Sequence, residues 1–205
     1  MAGLLTTFSN FGRLIGALYP TFIVSFLVLA SIFNLKLNGL VYLMGIMVTV
    51  VICYLVGMTG VIAERSDNAS IACDLFSLGS HNFKGPSTQV AISWFTFMYL
   101  LWPMLPPAQP NGLVNFMVIA ITSFFALINT IFQKNNGCSN WSGVILGGFI
   151  GILLASGWFW IWWGTGHHDL LFYNELLSNN AICSRPSKQT FKCEVWKGGQ
   201  LISQM

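Results

Sequence analysis

The chain offers few groups that could do chemistry, and their spacing decides what each can do. His167, His168 and Asp169 stand side by side just beyond the most apolar stretch. Successive side chains on a helix point about 100° apart, so adjacent histidines chelate poorly without ligands from elsewhere. No metal site is assigned to them. His81 and Lys84 share a loop with Ser80 and Ser87. A phosphate-handling centre needs an array of Lys and Arg around a positioned nucleophile, and here Arg185 lies in the tail. Cys53 falls inside an apolar segment, while Cys73 and Cys138 fall in loops without the CxxC or Cys/His spacing of a zinc site. Cys183 and Cys193 share the tail, where they pair if that side of the membrane is oxidising and stay thiols if it is reducing. No glycine-rich phosphate loop and no Ser/His/Asp or Cys/His constellation stands out. The chain reads as a non-enzyme with no cofactor.

The composition explains this poverty. Of 205 residues, 55% are hydrophobic and only 7% are charged, and the mean hydropathy is +0.68. A soluble domain carries about 25% charged residues, so this is an integral membrane protein. The net charge of +3 is small. Its basic residues are too dispersed for a nucleic-acid footprint, so no nucleic-acid partner is expected. No short apolar run with a small-residue cleavage site precedes the first apolar segment, which is expected to direct insertion itself.

The hydropathy pattern predicts an all-α integral membrane protein, a bundle of about five transmembrane helices with a small C-terminal β-hairpin-like tail. The transmembrane domain covers residues 1–166 and the extramembrane tail residues 167–205. Residues 1–12 are expected in the interface, ended by Arg13. Spans are expected over residues 14–33, 39–63, 89–105, 113–132 and 142–165. Pro20 falls in the first turns of the first span, where a missing N–H is best tolerated. Ser87 or Thr88 is placed to cap the third. These spans hold no Asp, Glu, Lys, Arg or His, which argues against a proton-coupled transporter or pump. Asn115 and Asn129 are the strongly polar groups of the fourth span. Their spacing of fourteen puts them on one face, where they are expected to hydrogen-bond to neighbouring helices.

The fifth span is the most distinctive. Gly143, Gly147, Gly151 and Ala155 recur every four residues and form one smooth stripe. Such a stripe is unfavourable for a helix in water but allows close helix approach in lipid. The glycines either form a specific packing seam or only thin the helix. Trp158, Trp160, Trp162 and Trp163 crowd its far end, where indole rings suit the headgroup layer as interface anchors.

In the tail, Phe191, Cys193 and Val195 alternate with Lys192, Glu194 and Trp196, which is a strand period, and Gly198-Gly199 signals a hairpin turn. A lone hairpin is marginal in water and needs a disulfide, the membrane surface or a partner. With five spans, Arg13, Arg65, Lys84 and Lys134 share one side, and the positive-inside rule then places the N-terminus inside and the tail outside. The sequons Asn68-Ala69-Ser70 and Asn140-Trp141-Ser142 are then cytosolic and unmodified. No internal repeat of the secondary-transporter type is visible.

The tail LLFYNELLSNNAICSRPSKQTFKCEVWKGGQLI, the five-span layout and the glycine-rich last helix together resemble a family of uncharacterised membrane proteins. These are encoded by large icosahedral double-stranded DNA viruses of algae and protists, the phycodnavirus and giant-virus group. The likeness covers mainly residues 142–202. It implies a transmembrane minor capsid protein, a structural virion component in the viral inner membrane that ties the bilayer to the capsid shell. Its partners would be membrane lipids and other membrane or capsid proteins, with homo-oligomers allowed. Lys188, Phe191, Lys192, Val195, Trp196 and Lys197 are the expected partner-binding residues, aromatics as anchors and lysines as steering groups. The alternative is a small channel or carrier that oligomerises through the Gly143/Gly147/Gly151 face. A lipid-modifying enzyme using His81, His167 or His168 is the third reading.

Overall fold

A computed structural model describes residues 2–60, 73, 86–105, 115–172, 194–197 and 200–204, of which residues 2–13 and 194–204 are described as backbone alone. Helix α1 (Ala2–Phe33) turns through residues 34–37 into α2 (Asn38–Met58). Helix α3 (Thr88–Leu101) runs on into a 3-10 turn, Trp102–Met104. Helices α4 (Phe116–Asn135) and α5 (Trp141–Gly164) follow. A 3-10 turn at His168–Leu170 leads towards the tail, where β1 (Glu194–Lys197) and β2 (Gln200–Gln204) pair antiparallel, Trp196 opposite Leu201.

Four helical segments are long and apolar enough to cross a membrane: Leu14–Phe33, Asn38–Met58, Phe116–Asn135 and Trp141–Gly164. The protein is therefore built as an integral membrane protein. Helix α3 is different. Its 14 residues give a rise of about 21 Å, short of the ~30 Å hydrocarbon layer. It is also the most enclosed element, with Gln89 to Ser93, Phe95, Thr96, Tyr99 and Leu100 all buried. A helix buried on most of its surface belongs inside a bundle, and the polar groups it carries there, Gln89, Ser93 and Thr96, must find partners on neighbouring helices. Large apolar side chains of the other helices face outward instead, Phe22, Met47, Phe124 and Ile145 among them. That inside-out arrangement suits lipid as the surrounding solvent.

Several boundaries differ from the sequence expectation. No break occurs at Arg13, because α1 is continuous from Ala2 to Phe33; one Arg is a good helix former and stops nothing. Pro20 therefore lies deep in a helix interior rather than in a first turn. Helix α2 ends at Met58, ahead of the expected residue 63, at Gly60 with a φ of +65°. That left-handed residue is a common helix stop. Ser87 takes the N-cap position of α3, but neither it nor Thr88 supplies a side-chain cap. Helix α4 starts three residues later than expected because Asn115 caps it, its side-chain oxygen accepting from Val118 N at 3.3 Å. Asn115 is thus a cap and not a bond to a neighbouring helix. Asn140 caps α5 in the same way, accepting from Gly143 N at 3.0 Å.

Contacts fix the helix directions. Helix α3 runs parallel to α5, with Ser87 N donating to the Gly143 carbonyl at 3.0 Å near one end. Near the other, Trp102 Nε1 donates to Ser156 Oγ at 2.9 Å. Helix α2 is antiparallel to α3, since Tyr42 meets Thr96 and Tyr99 while Gly45 faces Phe95. Helix α4 is antiparallel to α3 through Gln133 on Gln89 and Asn129 on Ser93. Helix α1 is antiparallel to α4, with Gly16 beside Phe132 and Tyr19 stacked on Phe125 at 5.4 Å.

The aromatic core lies towards one end, where Tyr42, Phe95, Tyr99 and Phe159 meet Leu171 and Phe172. The α3–α5 contact is its foundation. A Cβ on Gly147 would stand 2.5 Å from the Ser87 carbonyl oxygen, and one on Gly151 would strike the Ala91 carbonyl oxygen. By contrast, Gly157 has open space around it. Gly151→Val is expected to push α5 off α3 and cost about 1–3 kcal/mol, read as a lower unfolding temperature in detergent. Gly157→Ala is expected to leave that temperature unchanged or raise it slightly, through helix propensity alone.

Candidate functional site

The candidate site is a buried polar seam where α1, α3 and α4 meet. It begins with a backbone problem. Proline has no N–H, so the carbonyl four residues earlier loses its helical partner. For Pro20 that carbonyl belongs to Gly16. Asn129 Nδ2, from α4, donates to the Gly16 carbonyl oxygen at 2.6 Å. An unsatisfied carbonyl in a bilayer costs several kcal/mol, and side chains of neighbouring helices are a known remedy. Glycine at position 16 also lets α4 come near, because a Cβ there would lie 2.6 Å from Phe132 Cβ.

The seam continues from Asn129. The single Ser93 hydroxyl proton is shared between the Asn129 Oδ1 at 3.2 Å and the Gln89 carbonyl at 2.9 Å. Gln133 Nε2 donates to Gln89 Oε1. Gln89 Nε2 in turn donates to the Cys73 carbonyl at 3.3 Å. All four side chains are at most 2% exposed. Uncharged amides and a hydroxyl, each already bonded, can neither transfer a proton nor bind an ion without breaking that network. What the arrangement can do is fix the register of three helices. Cys73 sits at its end and forms a disulfide with Cys138.

The other sequence-derived residues occupy separate places. Gly143, Gly147, Gly151 and Ala155 are all buried, and the start of α3 meets the first three, at Ser87 and Ala91. Trp158 turns inward and donates from Nε1 to the Val41 carbonyl at 3.1 Å. Trp162 packs between Trp158 and His167, with a buried Nε1. Trp163 stacks on Phe159, and the His168 ring lies tilted against it at 4.0 Å. Of the four, Trp160 alone is exposed, at 40%. Lys188, Phe191, Lys192, Cys183, Cys193 and His81 lie outside the described residues, while Val195, Trp196 and Lys197 form β1. No group of three His, Cys, Asp or Glu residues suited to a metal occurs among the described residues.

Sequence reasoning picked out Asn129 but missed Gln89, Ser93 and Gln133. The signal was present as two pairs at a spacing of four, Gln89/Ser93 and Asn129/Gln133, each pair on one helix face. The Cys73–Cys138 bond joins two loops 65 residues apart, a separation at which sequence spacing carries no pairing signal. Comparison with protein-family models, with characterised proteins and with solved structures finds no match for this chain.

The Pro20–Gly16–Asn129 relation makes a double-mutant test. Asn129→Ala is expected to lower stability in detergent by about 1–2 kcal/mol. In a Pro20→Ala background, residue 20 regains an N–H for the Gly16 carbonyl, and the cost of Asn129→Ala should shrink. Equal costs in both backgrounds would refute the compensation.

Proposed function

We propose that this is a structural multi-pass membrane protein, a helical anchor whose C-terminal tail holds another component of an assembly. One observation carries the reading: the polar groups of the seam are spent on one another and on the backbone. Ions and polar solutes need groups free to replace their hydration shell. The spans also lack Asp, Glu, Lys, Arg and His, apart from Lys134 in the last turn of α4, where it sits 5.9 Å over the Trp141 ring. Such a bundle holds position and does no electrochemical work.

The assembly is proposed from the resemblance of the tail: a viral inner membrane tethered to a capsid shell. The tail would act through Lys188, Phe191, Lys192, Val195, Trp196 and Lys197. A two-stranded hairpin of β1 and β2 leaves strand edges, and edge addition to a partner sheet is a common mode of docking. The channel or carrier alternative has less support, because the glycine face it would use for oligomers already packs against α3.

Lysine cross-linking on the native membrane or particle tests this. Reproducible links from Lys188, Lys192 or Lys197 to a different, soluble coat-type protein are expected. Deletion of residues 183–205 should release that coat-type protein from the membrane fraction without lowering the unfolding temperature of the bundle. Links confined to copies of this chain, together with solute flux in reconstituted vesicles, would overturn the reading.

A further inference from the structure

We infer that the membrane face carrying the Cys73–Cys138 disulfide is the oxidising side and that the C-terminal tail emerges on the reducing side. This reverses the orientation expected from the distribution of basic residues. It depends on the membrane architecture alone, whatever the tail binds.

The geometry places Cys73 and Cys138 at one end of the bundle and the start of the tail at the other. Cys138 lies between the end of α4 at Asn135 and the start of α5 at Trp141. Cys73 is held at that same end by its bond to Cys138 and by Gln89, one residue into α3. Helix α5 then runs the length of the bundle and ends at Gly164. The chain beyond it is fastened at the far end, where Asn38 Nδ2, the first residue of α2, donates to the Leu171 carbonyl at 2.9 Å. The tail with Cys183 and Cys193 starts from there.

Formation of the Cys73–Cys138 bond removes two protons and two electrons from a pair of thiols. The acceptor is a disulfide-form oxidant, which leaves as a dithiol by thiol–disulfide exchange. Such oxidants work in secretory or periplasm-like spaces, while cytosolic thiols are kept reduced. One membrane separates one oxidising space from one reducing space. A Cys73–Cys138 disulfide and a Cys183–Cys193 disulfide are therefore mutually exclusive, and the structure holds the first.

The opposing argument is charge. Lys134 ends α4 on the disulfide face, and chain order assigns Arg13, Arg65 and Lys84 to that side, against Lys36 close to the membrane on the other. The rule is a statistical bias over short loops. The bond, in contrast, joins residues 65 apart in sequence and is built into the seam through Gln89.

The test uses the full-length wild-type chain inserted into sealed microsomes. Intact vesicles are treated with a membrane-impermeant maleimide, without reductant, and the labelled cysteines are identified by mass spectrometry. Cys183 and Cys193 should be labelled from the cytosolic face. Cys73 and Cys138 should be labelled only after both permeabilisation and reduction. An independent readout is the sequon Asn68-Ala69-Ser70, in the α2–α3 connection. Glycosidase treatment should then remove a mass that Asn68→Gln also removes. Labelling of Cys73 and Cys138 without reductant would overturn the inference. So would a tail that is labelled only after permeabilisation.

Discussion

The close approach of α3 to α5 is the contact on which the rest of the bundle depends. Hydrophobicity gives membrane helices no reason to associate, so contact area and hydrogen bonds must do it. Gly147 and Gly151 let the α3 backbone come within reach of the α5 axis, with carbonyl oxygens of Ser87 and Ala91 where side chains would otherwise stand. Ser87 N on the Gly143 carbonyl then fixes the axial register at 3.0 Å. Once α3 lies in this groove, it is surrounded. Tyr42 and Gly45 of α2 close one side, and Asn129 and Gln133 of α4 close another.

Enclosure sets the polar chemistry. A buried amide or hydroxyl without a partner is costly, and the cost rises as the surroundings become drier. Helix α3 carries Gln89, Ser93 and Thr96 into the centre, and each finds a partner on a different helix: Gln133 and Asn129 on α4, and Tyr42 on α2 at 2.6 Å. Asn129 serves twice, because its other end repairs the carbonyl of Gly16 left open by Pro20. The residues that look most damaging to a helix, a proline in α1 and a run of glycines in α5, are thus where neighbouring helices come closest. The seam gives direction as well as adhesion. A glycine groove alone tolerates sliding, whereas paired amides accept only one register.

Much of this was legible in the sequence, and the limits have physical causes. Composition fixes the solvent, and hydropathy locates the spans of α1, α2, α4 and α5. The four-residue spacing of Gly143, Gly147, Gly151 and Ala155 marks the buried face of α5. Helix starts were less legible: Asn115 looks like a polar group inside a span until its bond to Val118 N shows it to be a cap. Pro20 looks benign only if α1 begins near it. The seam escapes sequence reading because its partners are separated by 36 residues for Ser93–Asn129 and 44 for Gln89–Gln133. Periodicity reports which face a residue occupies and says nothing of which face it meets.

The order of the chain has a consequence for assembly. In a two-stage picture, helices that are stable alone in the bilayer form first and then pack. Helices α1, α2, α4 and α5 meet the length requirement, but α3 with 14 residues falls short of the ~20 needed. It also carries Gln89 and Ser93, whose partners on α4 and whose groove on α5 are both later in the chain. The third helix is therefore secured only when the fifth is in place. The Cys73–Cys138 bond acts on this step. Closing a loop of 65 residues is worth about 4 kcal/mol in the loop-entropy account. It ties the segment before α3 to the turn before α5, next to the Ser87–Gly143 contact at which the two helices begin side by side. Here a covalent link, a backbone hydrogen bond and a glycine groove coincide at one end of one helix pair. That coincidence is how a segment too short to hold itself in a membrane becomes the most buried part of the protein.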